Sequence, residues 1–223
     1  MTDRKSWGKP LSALLGALKM QVEFGLPSIG GKDSMSGTFE NINVPPMLMA
    51  FGITTVDAEK VISPELKFEG NKLYLIKHTP LDNYMPDVEQ LKANWAYVNE
   101  QIEAENIVSG YALGFGGIAE AICKMSFGNG LDAKINVDEK ELFNYGYGSI
   151  LVEAEGELDY PNAVLVGEVT DGEDSELTIN GVEFDLFDLM AANSAKFAQV
   201  YSDTAEAYCK DVVPAGLEGV KPF

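Results

Sequence analysis

The residues best equipped for chemistry lie together in Pro27-Ser28-Ile29-Gly30-Gly31-Lys32-Asp33-Ser34-Met35-Ser36-Gly37. Adjacent glycines, Gly30 and Gly31, let the main chain approach a ligand and turn N–H groups toward an anion. Lys32 adds a cationic head for a phosphate, Asp33 a carboxylate that could hold Mg2+ directly or through water, and Ser34 and Ser36 hydroxyl donors. The pattern is not a Walker A loop, because Leu26 stands six positions before Lys32 and Asp33 follows it. From these residues alone two readings stand side by side, a phosphate-gripping loop and an ordinary polar turn with a surface lysine.

A second glycine cluster, Gly114-Phe115-Gly116-Gly117-Ile118-Ala119, satisfies G-x-G-x-x-G/A and opens an apolar-periodic stretch. A dinucleotide site would need a clear strand before it, and IVSGYAL, with a glycine in its middle, is a weak one. A glycine-rich helix start that packs closely or faces a phosphate is the better expectation. The acidic runs Glu153 to Asp159 and Asp171 to Glu176 read as solvated turns, and no carboxylate pair has metal-box spacing. With the one histidine, His78, at an expected strand end and two distant cysteines, Cys123 and Cys209, neither a zinc site nor a catalytic triad assembles readily. His78 is therefore expected to be structural or on the surface, and Cys123 a buried free thiol. Trp7 and Trp95 are expected to pack rather than stack on a ligand.

These groups are carried by a chain of 223 residues, 46% apolar, with 35 acidic against 16 basic side chains and a net charge of −19. That balance argues against nucleic acid as a partner. No apolar run approaches the roughly 20 residues of a membrane span, and no secretory signal is visible, so a reduced, soluble, cytoplasmic protein is expected.

Apolar spacing predicts a helix from Lys9 to Phe24, with Pro10 in its first turn and Gly25 and Pro27 ending it. GGKDSMSG reads as a loop and PPMLMAFGITTVD as a strand entered through Pro45 and Pro46. Residues 57 to 70 look like a linker. Beyond it the reading is a strand KLYLIKHT, a helix from about Asp87 to Asn106, a helix GIAEAICKMSF and strands YGSILVEAEG and NAVLVGEV. A hairpin turning at Asn180-Gly181 and a last helix from 186 to 212 complete it. The fold class is α/β, a mixed β-sheet layered with helices and covered on one face. The first 60 residues cannot close a core alone, so a fragment lacking an earlier part is expected.

Gly31-Lys32-Asp33-Ser34-Met35-Ser36 resembles a motif of the large-type phosphoribosylformylglycinamidine synthases, ATP-dependent glutamine amidotransferases of purine biosynthesis. WGKPLSALLGA before the motif, PPMLMAFGITTVDAEKVISPELK and GNKLYLIKHT after it, and GFGGIAEAICKMSFGNGL resemble the family in order, from about Ser6 to Leu189. The resemblance implies an aminoimidazole ribonucleotide synthetase-like C-terminal domain over 61–190, preceded by a partial N-domain segment over 1–60. A helix and Pro/Gly-rich tail over 191–223 would follow. ATP and Mg2+ would be the cofactors and formylglycinamide ribonucleotide the substrate, its formamide oxygen phosphorylated and then displaced by ammonia from glutamine. Gly30, Gly31 and Lys32 would meet nucleotide phosphate, Asp33 the metal and Ser34 the substrate, with no catalytic residue assigned in this stretch. The partners would be the remaining synthase and glutaminase domains, and the fragment is expected to be inactive alone and to self-associate. Where the family has His-Asp-Arg-Ser-Asp-Gly-Gly for an auxiliary nucleotide, this chain has Ala112 and Gly114 in place of the aspartate and serine. That site is expected to be lost or rebuilt, with Gly116 and Gly117 kept for backbone geometry. The alternatives are a non-catalytic scaffold half of such a synthase, or another member of the same superfamily.

Overall fold

The structure, a computed structural model, describes residues 4–34, 37–44, 47–171 and 175–198. The chain opens with helix α1 (Arg4–Phe24). It starts five residues earlier than the apolar spacing indicates, so Pro10 lies inside the helix rather than in its first turn. The proline ring already holds a helical φ, and the chain runs through it. At the other end Gly25 takes φ +64°, donates to Val22 O and lets Leu26 N–H donate to Gln21 O. That is the paired closure a left-handed glycine permits. No residue of α1 is buried.

Next comes the stretch read as a loop, and it is a strand. β1 (Gly30–Ser34) pairs antiparallel with β4 (Met47–Phe51), and β2 (Gly37–Phe39) pairs with β3 (Ile42–Val44) as a small separate ribbon. Polar composition suggested a loop, but the apolar run Met47–Phe51 supplies a partner ladder, and the register is continuous from Gly30 opposite Phe51 to Ser34 opposite Met47.

The remainder is built on a seven-stranded sheet. Its members are β5 (Lys72–Ile76), β6 (Ile107–Ala112), β7 (Asp132–Ile135), β8 (Ile150–Ala154), β9 (Ala163–Thr170), β10 (Glu176–Ile179) and β11 (Val182–Asp185). The order is β11-β10-β7-β9-β5-β8-β6, with β7 and β10 parallel and the other neighbours antiparallel. The hairpin β10–β11 turns at Asn180 (φ +51°) and Gly181 (φ +79°), both left-handed, as a two-residue turn of this hand requires.

Alternation along β5 assigns the two faces. Leu73 and Leu75 join Leu151, Ile118, Ala121, Ile122 and Met125 under helix α3 (Gly117–Asn129), and Tyr74 and Ile76 join Val152, Ala154 and Val98 under helix α2 (Val88–Glu103). The expected single covered face is thus corrected to two. Asp87 caps α2, its carboxylate accepting from Gln90 N–H. The short helix α4 (Glu139–Leu142) follows β7, and α5 (Leu186–Ala198) lies against α3. The part of the expected last helix beyond Ala198 lies outside the described residues.

The supposed linker is tied down. Leu66 is fully buried and donates its N–H to Met125 O. Glu153, expected in a solvated turn, sits on β8 with no exposed surface. Its carboxylate accepts from Lys67 N–H and Ser109 Oγ (2.8 Å each) at one oxygen, and from Phe68 N–H (3.0 Å) and Asn71 Nδ2 (2.8 Å) at the other. A charge can be buried when every lone pair is met in this way.

Candidate functional site

Gly30, Gly31, Lys32, Asp33 and Ser34 are consecutive residues of β1. Gly31 faces β4 so closely that a Cβ there would lie 2.5 Å from Met49 O, whereas one at Gly30 would meet nothing within 4 Å. Neither glycine has the positive φ that an anion nest needs. Gly31 therefore has a structural duty in the ribbon, and Gly30 leaves its side of the backbone open to approach. Lys32 stands opposite Met49, Asp33 opposite Leu48 and Ser34 opposite Met47. Met35 and Ser36 lie outside the described residues.

The second glycine cluster belongs to the large sheet. The weak strand before it is a true one, β6, but it runs at the sheet edge and pairs antiparallel with β8. That topology lacks the parallel crossover of a dinucleotide fold. Gly117 adopts φ +63°, and a Cβ on it would lie 2.5 Å from Asn144 O and 2.8 Å from Leu142 O. Close packing is what demands this glycine. Gly116 N–H donates to the Glu120 carboxylate (3.0 Å), which also receives Lys124 Nζ (2.6 Å). The Lys124 contact first, then the Gly116 N–H, holds the Glu120 carboxyl below its ordinary range. A side-chain carboxylate thus occupies the donor that a phosphate would seek at the start of α3.

His78 is buried and fully engaged, Nδ1 donating to Tyr147 O (2.8 Å) and Nε2 accepting from Asp87 N–H (3.1 Å). It orders two loops and has no ring nitrogen left for chemistry. Cys123 is a partly buried free thiol whose pKa burial pushes up, the opposite of an activated nucleophile. Cys209 lies outside the described residues. Trp95 stacks on Phe24 with centroids 5.1 Å apart and donates to Gly148 O (3.2 Å), so it packs as expected.

A cleft of about 550 Å3 opens between the end of β5, the start of α3 and the loop from Phe143 to Ser149, and neither Gly30 nor Gly31 lines it. The sequence reading passed over this loop, although the FNYGYGS spacing, with two glycines between aromatics, was its signal. Among the described residues no group of three or more His, Cys, Asp or Glu side chains could hold a metal, and no helix is long and apolar enough to cross a membrane. A Mg2+ ion that arrives on a nucleotide takes one or two carboxylates beside phosphate oxygens.

No family model matches the sequence, and no curated protein matches it. Solved structures do. Phosphoribosylformylglycinamidine synthase II from Thermotoga maritima superposes with a TM-score of 0.60 at 13% identity, covering 77% of this chain and 34% of that one. PurLQS from Thermotoga maritima gives 0.61 at 15%, covering 75% and 33%. T. maritima PurL complexed with FGAR gives 0.51 at 12%, covering 77% and 36%. The chain spans about a third of the length of these proteins. At these identities the likeness is one of architecture, and the chain carries the mixed α/β fold of these synthase structures.

Proposed function

We propose that the chain is a portion of a phosphoribosylformylglycinamidine synthase, an ATP-dependent C–N ligase, contributing the end of one N-domain (1–60) and the C-domain after it (61–190). The observation that carries this reading is the Gly31-Lys32-Asp33-Ser34 strand, which resembles the synthase motif and precedes a seven-stranded sheet of synthase-like architecture in the same chain. T. maritima PurL has been seen complexed with ATP and with FGAR, which supports a nucleotide and a formylglycinamide ribonucleotide as the ligands.

In this reading Gly30 lets nucleotide phosphate come against the backbone of β1, and Gly31 keeps the strand on β4. Lys32 offsets charge on the transferring phosphoryl group. Asp33 orients the Mg2+ that enters with ATP, and that ion gathers phosphate charge. Ser34 contacts the ribonucleotide. The protonation and ammonia-delivery groups belong to the remaining synthase and glutaminase modules, so the chain alone does not turn over.

A second reading, a non-catalytic scaffold half, is favoured by one observation: the close approach of residue 31 to Met49 O already explains why it is glycine. Calorimetric titration with ATP–Mg2+ separates the two. A saturable heat that Lys32→Ala weakens at least tenfold supports the phosphate strand, and absence of heat from the folded wild-type chain at millimolar ATP overturns it in favour of the scaffold.

A further inference from the structure

Asp132 opens β7 and lies inside the seven-stranded sheet, with β9 on one side and β10 on the other. Ala133 and Ile135 belong to the core under α3, so alternation turns Asp132 and Lys134 to the opposite face of the sheet. Only 3% of Asp132 is exposed, and its Oδ1 has no hydrogen-bond partner. Among the described residues no ion pair reaches this carboxylate. A buried carboxylate is ordinarily matched by a paired cation, by a full set of donors or by a metal. Glu153, two strands away on β8, shows the second solution. At Asp132 Oδ1 that set of donors is missing.

The neighbouring strands bring oxygen to it rather than positive charge. Thr170, the last residue of β9, stands directly opposite Asp132. On the other side Ala133 is level with Leu177, so Glu176, one residue earlier on β10, is level with Asp132 and on the same face. Asp185 of β11 stands opposite Glu176 in turn, with one oxygen already accepting from Asp188 N–H (2.9 Å). The row Asp185, Glu176, Asp132, Thr170 thus runs across four strands with three acids and no base. The lysines of this face serve the next row. Lys72 Nζ meets Glu168 at 2.6 Å, and Lys134 stands opposite Glu168 in the register. In a chain of net charge −19, the Asp132 row concentrates negative charge around an oxygen that is already out of water.

We propose that Asp132 and Glu176 bind one hard divalent cation, Ca2+ in class, on the face of the sheet turned away from α3. The row holds no Cys or His, and carboxylate, hydroxyl and water oxygens are the donors such a cation takes. Asp132 Oδ1 is the anchoring ligand, Glu176 closes from β10, and Thr170 adds its hydroxyl oxygen. Two carboxylates make an incomplete cage, so water fills the remaining positions. Ca2+ is favoured over Mg2+, because acids fixed on separate strands meet a loose, longer-bonded shell more readily than a strict octahedron. The ion ties β7 to its parallel neighbour β10 and neutralises the charge that the fold leaves unmatched. The site is separate from β1 and needs no nucleotide.

The test is calorimetric and thermal titration of the full chain with Ca2+ at constant ionic strength. Nucleotide is left out, so the outcome is read separately from the synthase reading. A single class of site is expected to bind Ca2+ saturably and to raise the melting temperature by about 5 °C at roughly a hundredfold excess over Kd. Mg2+ should bind about tenfold more weakly. Asp132→Asn should remove both the heat and the melting shift. Glu176→Gln, at a less buried position, should weaken Ca2+ about tenfold and keeps the test open if Asp132→Asn fails to fold. Glu183→Gln removes a carboxylate from the same face but outside the row, and should leave Ca2+ binding unchanged. The proposal is overturned if Ca2+ gives neither saturable heat nor a melting shift at low millimolar concentration. It is overturned equally if the Asp132 and Glu176 variants bind as wild type does, or if Glu183→Gln weakens binding as much as they do.

Discussion

At the scale of single residues the most consequential side chain is Glu153. Its four hydrogen bonds join β8, β6 and the segment 67–71, and all its donors are uncharged groups. Glu153→Gln keeps the shape but turns one acceptor into a donor facing donors. Urea unfolding should show a loss of about 3 kcal/mol, within what leaving buried polar groups unmatched costs, and an unchanged midpoint would refute the clamp. Glu120 gives a pH signature. Its carboxyl lies below the ordinary value because of Lys124 and Gly116, so the stability it contributes is present above about pH 4.3 and is lost as pH falls through its lower folded value. Melting of Glu120→Ala against wild type should thus differ at neutral pH and converge as pH falls through that lowered value. Because this group is near the surface the difference is small, and a gap that widened on acidification would contradict the assignment.

At this scale the sequence was only partly legible. His78 and Trp95 behave as their types suggest, but Glu153 looked like part of a solvated acidic run. Its burial depends on partners up to 86 positions away, which no local pattern carries.

At the scale of elements, periodic segments were readable and short or polar ones were not. α2, α3, β5, β8, β9 and the Asn180-Gly181 hairpin lie where spacing and turn chemistry indicate. β7 was missed because Asp132–Ile135 is four residues long, with charge at alternate positions, yet it sits inside the sheet beside β9 and β10. β1 was misread because its polar letters resemble a loop until Met47–Phe51 is seen across from it. The seat of α3 also rests on a non-local contact. Gly117 lies against the carbonyls of Leu142 and Asn144, so Gly117→Ala must move α4 or the helix start and abandon a left-handed φ. A fall in melting temperature of about 6 °C or more is expected, from roughly 2 kcal/mol of strain. An unperturbed melt would show that α3 starts elsewhere in solution.

At the scale of the whole molecule, burial is uneven. The seven-stranded sheet holds both cores, whereas α1 leaves Leu11, Leu14, Leu15, Leu18 and Val22 each more than half exposed, and β4 exposes Met47, Met49 and Phe51 beside it. α1 also carries four of the 16 basic residues against one glutamate, in a chain of net charge −19. An apolar face with basic residues on an acidic body suits a second copy of the chain. Sedimentation velocity should show concentration-dependent self-association, weakened by salt and abolished by Leu14→Asp with Leu18→Asp. A monomer at every concentration would count against it.

The placement of the closing hairpin has a bearing on biosynthesis. β10 enters the sheet parallel to β7, more than forty residues after it, and supplies Leu177 and Ile179 to the floor beneath α3. Until that segment has left the ribosome, β7 presents a raw hydrogen-bonding margin above an unsealed apolar layer, the arrangement most prone to adhere to neighbouring nascent chains. A polypeptide halted before Glu176 would be expected in the insoluble fraction, while one ending shortly after Ala198 has the pieces to seal the sheet.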